Sequence, residues 1–316
     1  MQFIAKTTPE LTDADWKQLA NLFNESFKRD VTVEYFKKKY NSSVRSISCY
    51  HGFMIDDEIG IIGSMTVIPF EYQFFEKNVI FGNLIDLMIH ADHRNNILNF
   101  KVIYDKLLAR MGSKIDFIYA VPNLNSQLYF TKILKWQEIG KLNYYIWPIK
   151  VTKLFKLPSL LETVFRPFNN LAQLLFSKIR YKVFKSPIKK IISSDFLDYR
   201  YSDIYKTMNK DEKTAWYRIF NENGVVTAYI IDIEPMDRKW MAQTIATICK
   251  KEFKVIDIII YISNNDLGTL NILKTPEKFE PRPLSLIGKV INPEHIDDRI
   301  LQLSNWRFNL SDFDVR

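Results

Sequence analysis

Glycine and cysteine are scarce in this chain: nine and two residues, respectively, out of 316. Cys49 and Cys249 lie far apart, which gives no disulfide framework and no metal-ligand spacing, so a reducing compartment is expected. The four histidines, His51, His90, His93 and His295, are equally scattered. His90 and His93 share a turn but have no acid or cysteine at ligand spacing, so they read as turn residues and no metal is expected. No stretch approaches ~18 consecutive apolar residues, and the first residues lack the charged-then-apolar layout of a signal peptide. The expectation is a cytoplasmic protein with no membrane span.

Acidic residues are missing from one segment in particular. Between 151 and 192 nine Lys or Arg face a single acid, Glu162, which accounts for the whole formal charge of +8. The rest of the chain is balanced, which argues against a nucleic-acid groove spread over a folded domain. The same segment has no glycine, is cut by Pro158, Pro167 and Pro187, and carries large apolar residues throughout. It reads as short amphipathic helices. Two readings stay open: a connector between domains, and a peripheral contact with a membrane surface.

What is present is an ordinary globular composition, 47% hydrophobic and 25% charged, over a length that suits two domains. Residues 11–27 place Trp16, Leu19, Ala20, Leu22 and Phe23 at helical spacing behind a Thr12/Asp15 capping pair. Residues 32–40 continue as a second helix. Two strand-like runs, 46–55 and 60–72, are separated by the acidic turn Asp56-Asp57-Glu58. Residues 138–149 read as two further strands that close a first domain at Pro148.

The chain is organised around residues 81–136. A strand, FGNLIDLMI, leads through the turn HADHRNN into a helix, ILNFKVIYDKLLARM; a second strand, DFIYAV, leads into PNLNSQLYFTKILKW. The first strand is apolar except for Asp86, and a lone acid in such a run needs a reason. LIDLMIHADHR and PNLNSQLYFTKILKW together resemble the acid-bearing fourth strand, the "V-H-P-x-x-R" exit and the "N-x-x-A/S … Y-x-K-x-G-F/W" segment of the GNAT acyltransferase superfamily. The resemblance covers roughly the first 148 residues.

That resemblance implies an α/β (α+β, mixed-sheet) fold and acetyl-CoA or another acyl-CoA as cosubstrate, with a small-molecule amine as acceptor. The loop Arg94-Asn95-Asn96-Ile97-Leu98-Asn99 would cradle the pyrophosphate. Ile97 and Asn99 stand at the family's two glycine positions, and Asn95, Asn96 and Asn99 tolerate left-handed backbone. The backbone N–H of Met88 or Ile89 would polarise the acyl carbonyl. Asn123 and Ser126 would meet the pantetheine arm; as residues they also read as a plain helix cap. Asp86 would be the general base, since burial between Ile85 and Leu87 raises a carboxylate's proton affinity. The alternative for Asp86 is a structural pair with Arg94 or a backbone donor. The family's acidic tyrosine falls on Phe130 or Thr131; Tyr129 is the nearest candidate, about 100° to 200° away on an α-helix. Lys135 replaces the glycine expected before Trp136.

From Asp195 the helix, hairpin, helix, strand order begins again without an arginine turn. The segments Tyr199–Tyr201 and Trp306–Asp314 are similar to the "Y-x-x-R-Y" entry and "W-x-F … D-x-D" exit of family members from bacterial surface polysaccharide synthesis. The expected organisation is therefore 1–150 catalytic, 151–194 connector and 195–316 a second, degenerate module. The expected activity is N-acyl transfer to an amino sugar nucleotide or glycan precursor. Two rivals remain: a GNAT-fold binding or scaffold protein, favoured by the lost glycines, and a Fem-type aminoacyl-tRNA-dependent transferase.

Overall fold

The structure, a computed structural model, describes residues 1–94, 98–150, 153, 186–201, 204–264 and 272–313. The basic run therefore lies almost wholly outside the described residues. In chain order the strands are β1 (Gln2–Thr7), β2 (Ser43–Val44), β3 (Ile47–Ser48), β4 (Tyr50–Asp56), β5 (Gly60–Phe74), β6 (Lys77–Ile89), β7 (Phe117–Ala120), β8 (Gln137–Lys141), β9 (Asn143–Pro148), β10 (Ile188–Lys190), β11 (Lys206–Lys210), β12 (Lys213–Glu222), β13 (Val225–Glu234), β14 (Ile258–Ser263), β15 (Leu273–Lys274) and β16 (Ser285–Val290). The helices are α1 (Asp13–Phe27), α2 (Val33–Lys39), α3 (Leu98–Met111), α4 (Leu124–Leu128), α5 (Ser194–Arg200) and α6 (Arg238–Glu252).

The chain forms two compact units that do not follow its linear order. One comprises 1–140, 187–199 and 285–305; the other 141–186, 200–284 and 306–316. The first unit's sheet runs β1-β4-β5-β6-β7-β16-β8, with β10 beside β5. The second unit's sheet runs β11-β12-β13-β14-β9-β15. β6–β7 and β13–β14 are parallel pairs, while β4–β5, β12–β13, β14–β9 and β16–β7 are antiparallel. β9, which in sequence reads as closing the first domain, pairs with β14 instead, Tyr145 opposite Tyr261. β16, from the far end of the chain, pairs with β7, Gly288 opposite Tyr119. A Cβ at Gly288 would collide with the Phe117 ring, so this strand needs a residue without a side chain there.

In the first unit α3 packs on one face of the sheet. Ile103, Tyr104, Leu107 and Met111 enter a core with Met54, Met65, Val67, Leu84 and Ile118. The Thr12 cap expected from sequence holds α1: its hydroxyl accepts the Asp15 N–H at 3.2 Å. α1 and α2 bring Trp16 and Tyr40 around His51, which is fully buried with its ring stacked on Phe53. The two His51 nitrogens each lie 3.0 Å from a hydroxyl, of Thr8 and Thr66. Burial lowers the imidazole's pKa from 6.5 to about 3, against a weak opposing pull from Asp15. Among the described residues no helix is long and apolar enough to cross a membrane.

Residues 1–150 expressed alone lack β16, so they should show no cooperative thermal unfolding, whereas the full chain should; a folded fragment by circular dichroism would contradict this. The His51 shift sets a pH dependence. Below 6.5 the unfolded chain takes up a proton that the folded chain refuses until about pH 3, so stability falls with falling pH across that window, by ~1.4 kcal/mol per unit. Between pH 6.5 and 4.5 the loss should be ~2–3 kcal/mol in denaturant titrations and should largely vanish in His51→Gln.

Candidate functional site

Asp86 occupies a β-bulge. Ser64 pairs with Met88 and Thr66 with Ile85, so two residues of β6, Asp86 and Leu87, oppose Met65 alone. Asp86 takes φ of +49°, a left-handed conformation that Asp tolerates better than most residues. Its side chain meets α2: Lys39 Nζ lies 2.8 Å from Oδ2, and the Tyr40 hydroxyl donates to the same oxygen. The carboxylate and the ammonium are 8% and 9% exposed, so this is a buried pair. Lys39 in turn sits over the rings of Phe23, Tyr35 and Tyr40. The sequence offers a structural partner for Asp86 in Arg94; the structure supplies Lys39 and Tyr40 instead, and Arg94 donates from Nε to the Ile89 carbonyl at 3.0 Å.

The strands part three residues before the bulge. β6 pairs with β7 only at Phe81, Gly82 and Asn83 and continues six residues further without it. Along that stretch the backbone alternates. His90 donates its N–H to Ile62 of β5 at 2.7 Å, so the N–H and C=O of Ile89 turn the other way, toward the side β7 has left. The Arg94 contact to the Ile89 carbonyl agrees with this. Met88, by the same alternation, addresses β5. Of the two backbone donors expected from sequence, the geometry favours Ile89.

Beyond the strand a 3₁₀ turn, Ala91–His93, leads to exposed Arg94. Asn95, Asn96 and Ile97 lie outside the described residues; α3 begins at Leu98, exposed, followed by half-buried Asn99. Asn123 caps α4, its Oδ1 accepting the Ser126 N–H at 3.0 Å, while the Ser126 hydroxyl lies 3.1 Å from the same oxygen. These two side chains satisfy each other, as a plain cap does.

α4 continues as a π-helix, Tyr129–Ile133, closed by a bond from the Leu134 N–H to the Tyr129 carbonyl. A rotation counted at 3.6 residues per turn therefore does not apply across it. Tyr129 is buried against Phe100, ring centroids 5.3 Å apart, and its hydroxyl has no hydrogen-bond partner among the described residues. Burial raises its pKa, so the hydroxyl keeps its proton. Lys135 adopts φ of +57° where a glycine would be unstrained. Two more buried polar atoms without hydrogen-bond partners among the described residues, Ser64 Oγ and Asn83 Oδ1, lie on the strands flanking the bulge.

In the second unit the antiparallel pairs β11–β12 and β12–β13 lead to the parallel pair β13–β14. β13 also carries an extra residue, between Ile230 and Asp232, opposite Trp216 and Tyr217. There Asp232 is buried and held by Arg307 at 3.2 Å, Asn309 at 2.7 Å, Ser311 at 2.6 Å and the Tyr201 hydroxyl at 3.3 Å. The entry and exit segments singled out in sequence thus meet on one carboxylate. At the start of α6 stands an acid, Asp237, which accepts the Trp240 N–H at 2.6 Å and pairs with Lys213. A negative charge there opposes an anionic ligand. Among the described residues no group of three or more His, Cys, Asp or Glu could hold a metal ion.

No family model matches the chain. No curated protein matches it either. Solved structures do. A conserved protein from Enterococcus faecalis V583, described as a probable N-acyltransferase, is 12% identical with a TM-score of 0.57 over 92% of this chain and 73% of its own. A GCN5-related N-acetyltransferase from Kribbella flavida is 8% identical with a TM-score of 0.58, over 92% of this chain and 71% of its own. Another from Anabaena variabilis is 12% identical with a TM-score of 0.56, over 92% and 73%. At this identity the likeness establishes architecture: the chain has the fold of the GCN5-related N-acetyltransferases.

Removing one member of a buried ion pair leaves an uncompensated charge, so Asp86→Ala should cost ~3 kcal/mol by chemical denaturation. Lys39→Met combined with Asp86→Leu should recover most of that loss. Equal losses in the single and double variants would show that the pair is not what holds α2.

Proposed function

We propose that the first unit is an acyl-CoA-dependent N-acyltransferase acting on a small-molecule amine. The observation that carries this is the parting of β6 from β7 three residues before a bulge, on a stretch that presents both a carboxylate and an outward-turned backbone N–H. The residues fit the cosubstrate: beyond the β6–β7 pairing the Ile89 N–H turns away from β5, and the strand exit leads through a 3₁₀ turn to exposed Arg94, a cation that can meet a phosphate. Acyl-CoA, when bound, supplies an activated acyl group as a thioester.

The chain's own groups then have separable tasks. The Ile89 N–H donates to the carbonyl oxygen as negative charge builds on it. Asp86 receives the proton that the ammonium must lose before its nitrogen can attack. Tyr129, protonated and buried, holds a proton for the departing sulfur. Asn123 and Ser126 line the strand exit, and Arg94 with residues 95–99 meets the phosphates. The second unit, with Asp237 at its helix start, is read as a degenerate GNAT-type module that shapes the acceptor side. The solved structures match over 92% of this chain, so the likeness extends into the second unit, as the two-module reading requires. The acceptor proposed is an amino sugar nucleotide or related glycan precursor.

A second reading has a specific observation behind it. Lys39 and Tyr40 already occupy Asp86 Oδ2, as in a carboxylate that serves the packing of α2, and this favours a GNAT-fold binding protein without chemistry. Calorimetric titration of acetyl-CoA into the full chain, with transfer assayed by thiol release, separates the two. The enzyme reading expects micromolar binding and at least a ~100-fold loss of turnover in Asp86→Asn with binding changed less than twofold. Binding without turnover on any amine would support the binding protein, and no binding of acetyl-CoA or longer acyl-CoAs would overturn the donor assignment.

A further inference from the structure

The first unit contains a cavity of about 200 Å³ lined by Ser42, Arg45, Phe70, Glu71, Phe196 and Tyr199, among others. At ~30 Å³ per water it has room for about six or seven waters, or one small ring. Its walls come from three places. The hairpin β2–β3 turns at Arg45 and Ser46, both at positive φ, as a two-residue hairpin loop requires, and this sets Arg45 beside Glu71 of β5, with which it forms an ion pair. Phe70, of the same strand, packs edge-on against Phe196 of α5, 5.8 Å between centroids, and against Tyr199 at 6.3 Å. The start of α5 adds Ser193 and Asp195 at the rim.

The chemistry of these walls selects a class of ligand. Aromatic surface is supplied by Phe70, Phe196 and Tyr199, and hydroxyls and carboxylates by Ser42, Ser43, Ser193, Glu71 and Asp195. Arg45, the one Lys or Arg in the lining among the described residues, is balanced by Glu71, and Asp195 leaves the lining net negative, which disfavours a phosphate. Apolar faces with convergent neutral and acidic hydrogen-bonding groups suit an uncharged polyhydroxylated ring. We infer that this cavity binds a sugar ring.

Its position ties that ring to the bulge. Thr66, Ile68 and Phe70 alternate onto one face of β5, the face on which Thr66 meets His51 beneath α1 and α2. Thr66 pairs with Ile85, beside Asp86, so the cavity lies four residues along the strand from that level, about 13 Å at ~3.3 Å per residue. Tyr199, in the cavity wall, donates its hydroxyl to the Lys39 carbonyl at 2.7 Å, and Lys39 holds Asp86 through its ammonium. The acceptor is then an elongated glycoside whose ring rests in the cavity while its amine reaches Asp86. The word acceptor rests on the acyl-transfer reading; the ring site does not.

The test uses the full chain and methyl glucoside as probe, followed by saturation-transfer NMR and calorimetry. Binding of about millimolar strength is expected. Ser43→Trp, which fills the mouth from an exposed strand, and Glu71→Gln should each weaken it at least tenfold with melting temperature and acetyl-CoA binding unchanged. No binding of the glucoside, or binding that both variants leave intact, overturns the sugar site. Acetyl-CoA binding with no glucoside binding sinks this inference alone, and glucoside binding without acetyl-CoA binding sinks the donor assignment while the ring site stands.

Discussion

The first unit depends on one buried contact, the Lys39 ammonium and Tyr40 hydroxyl on the Asp86 carboxylate. It holds three things in place together. The bulge puts an Asp at positive φ, which costs about 1 kcal/mol or more and persists only where surroundings compensate. The contact supplies that compensation by burying two opposite charges against each other. It also fixes the end of α2, whose next turn carries the rim of the cavity. And it lies on the stretch of β6 that runs on past β7, where the Ile89 N–H turns away from β5.

Backbone strain and a buried ion pair thus meet within one short stretch of β6. The second unit also has a bulge beside a buried carboxylate, with different partners. Asp232 there is wrapped by four donors from the C-terminal segment and the residues after α5, and Asp237 puts a negative charge where a phosphate would need a positive one. One unit holds its carboxylate with a lysine and a tyrosine at the end of α2; the other holds its carboxylate with four donors from other segments. The exchange of β9 and β16 completes both sheets, since each lends an antiparallel neighbour to a parallel strand that would otherwise be an edge.

Much of this was legible in sequence. The capping pair of α1, the order strand, turn, helix, strand through residues 81–136, and Asp86 as the one acid in an apolar strand all follow from local patterning. What was hidden is what local patterning cannot carry. Lys39 and Tyr40 lie 47 and 46 residues before Asp86, on a separate element. His51 reads as one scattered histidine among four, because burial is a property of what packs around it. The π-helix breaks the assumption of 3.6 residues per turn, so the angle assigned to Tyr129 was counted on the wrong ladder. β9 alternates as a strand would in either sheet, and nothing in NYYIWP says which neighbour it takes.

The central claim is that the donor lies in the gap beside β6 in the first unit. Hydrogen–deuterium exchange of the full chain with and without acetyl-CoA addresses it directly, because the claim names particular amides. Slowed exchange confined to peptides covering 84–94 and the first turn of α3 is the expected result. Protection at 225–240 in the second unit, or none anywhere at saturating acetyl-CoA, would contradict the account.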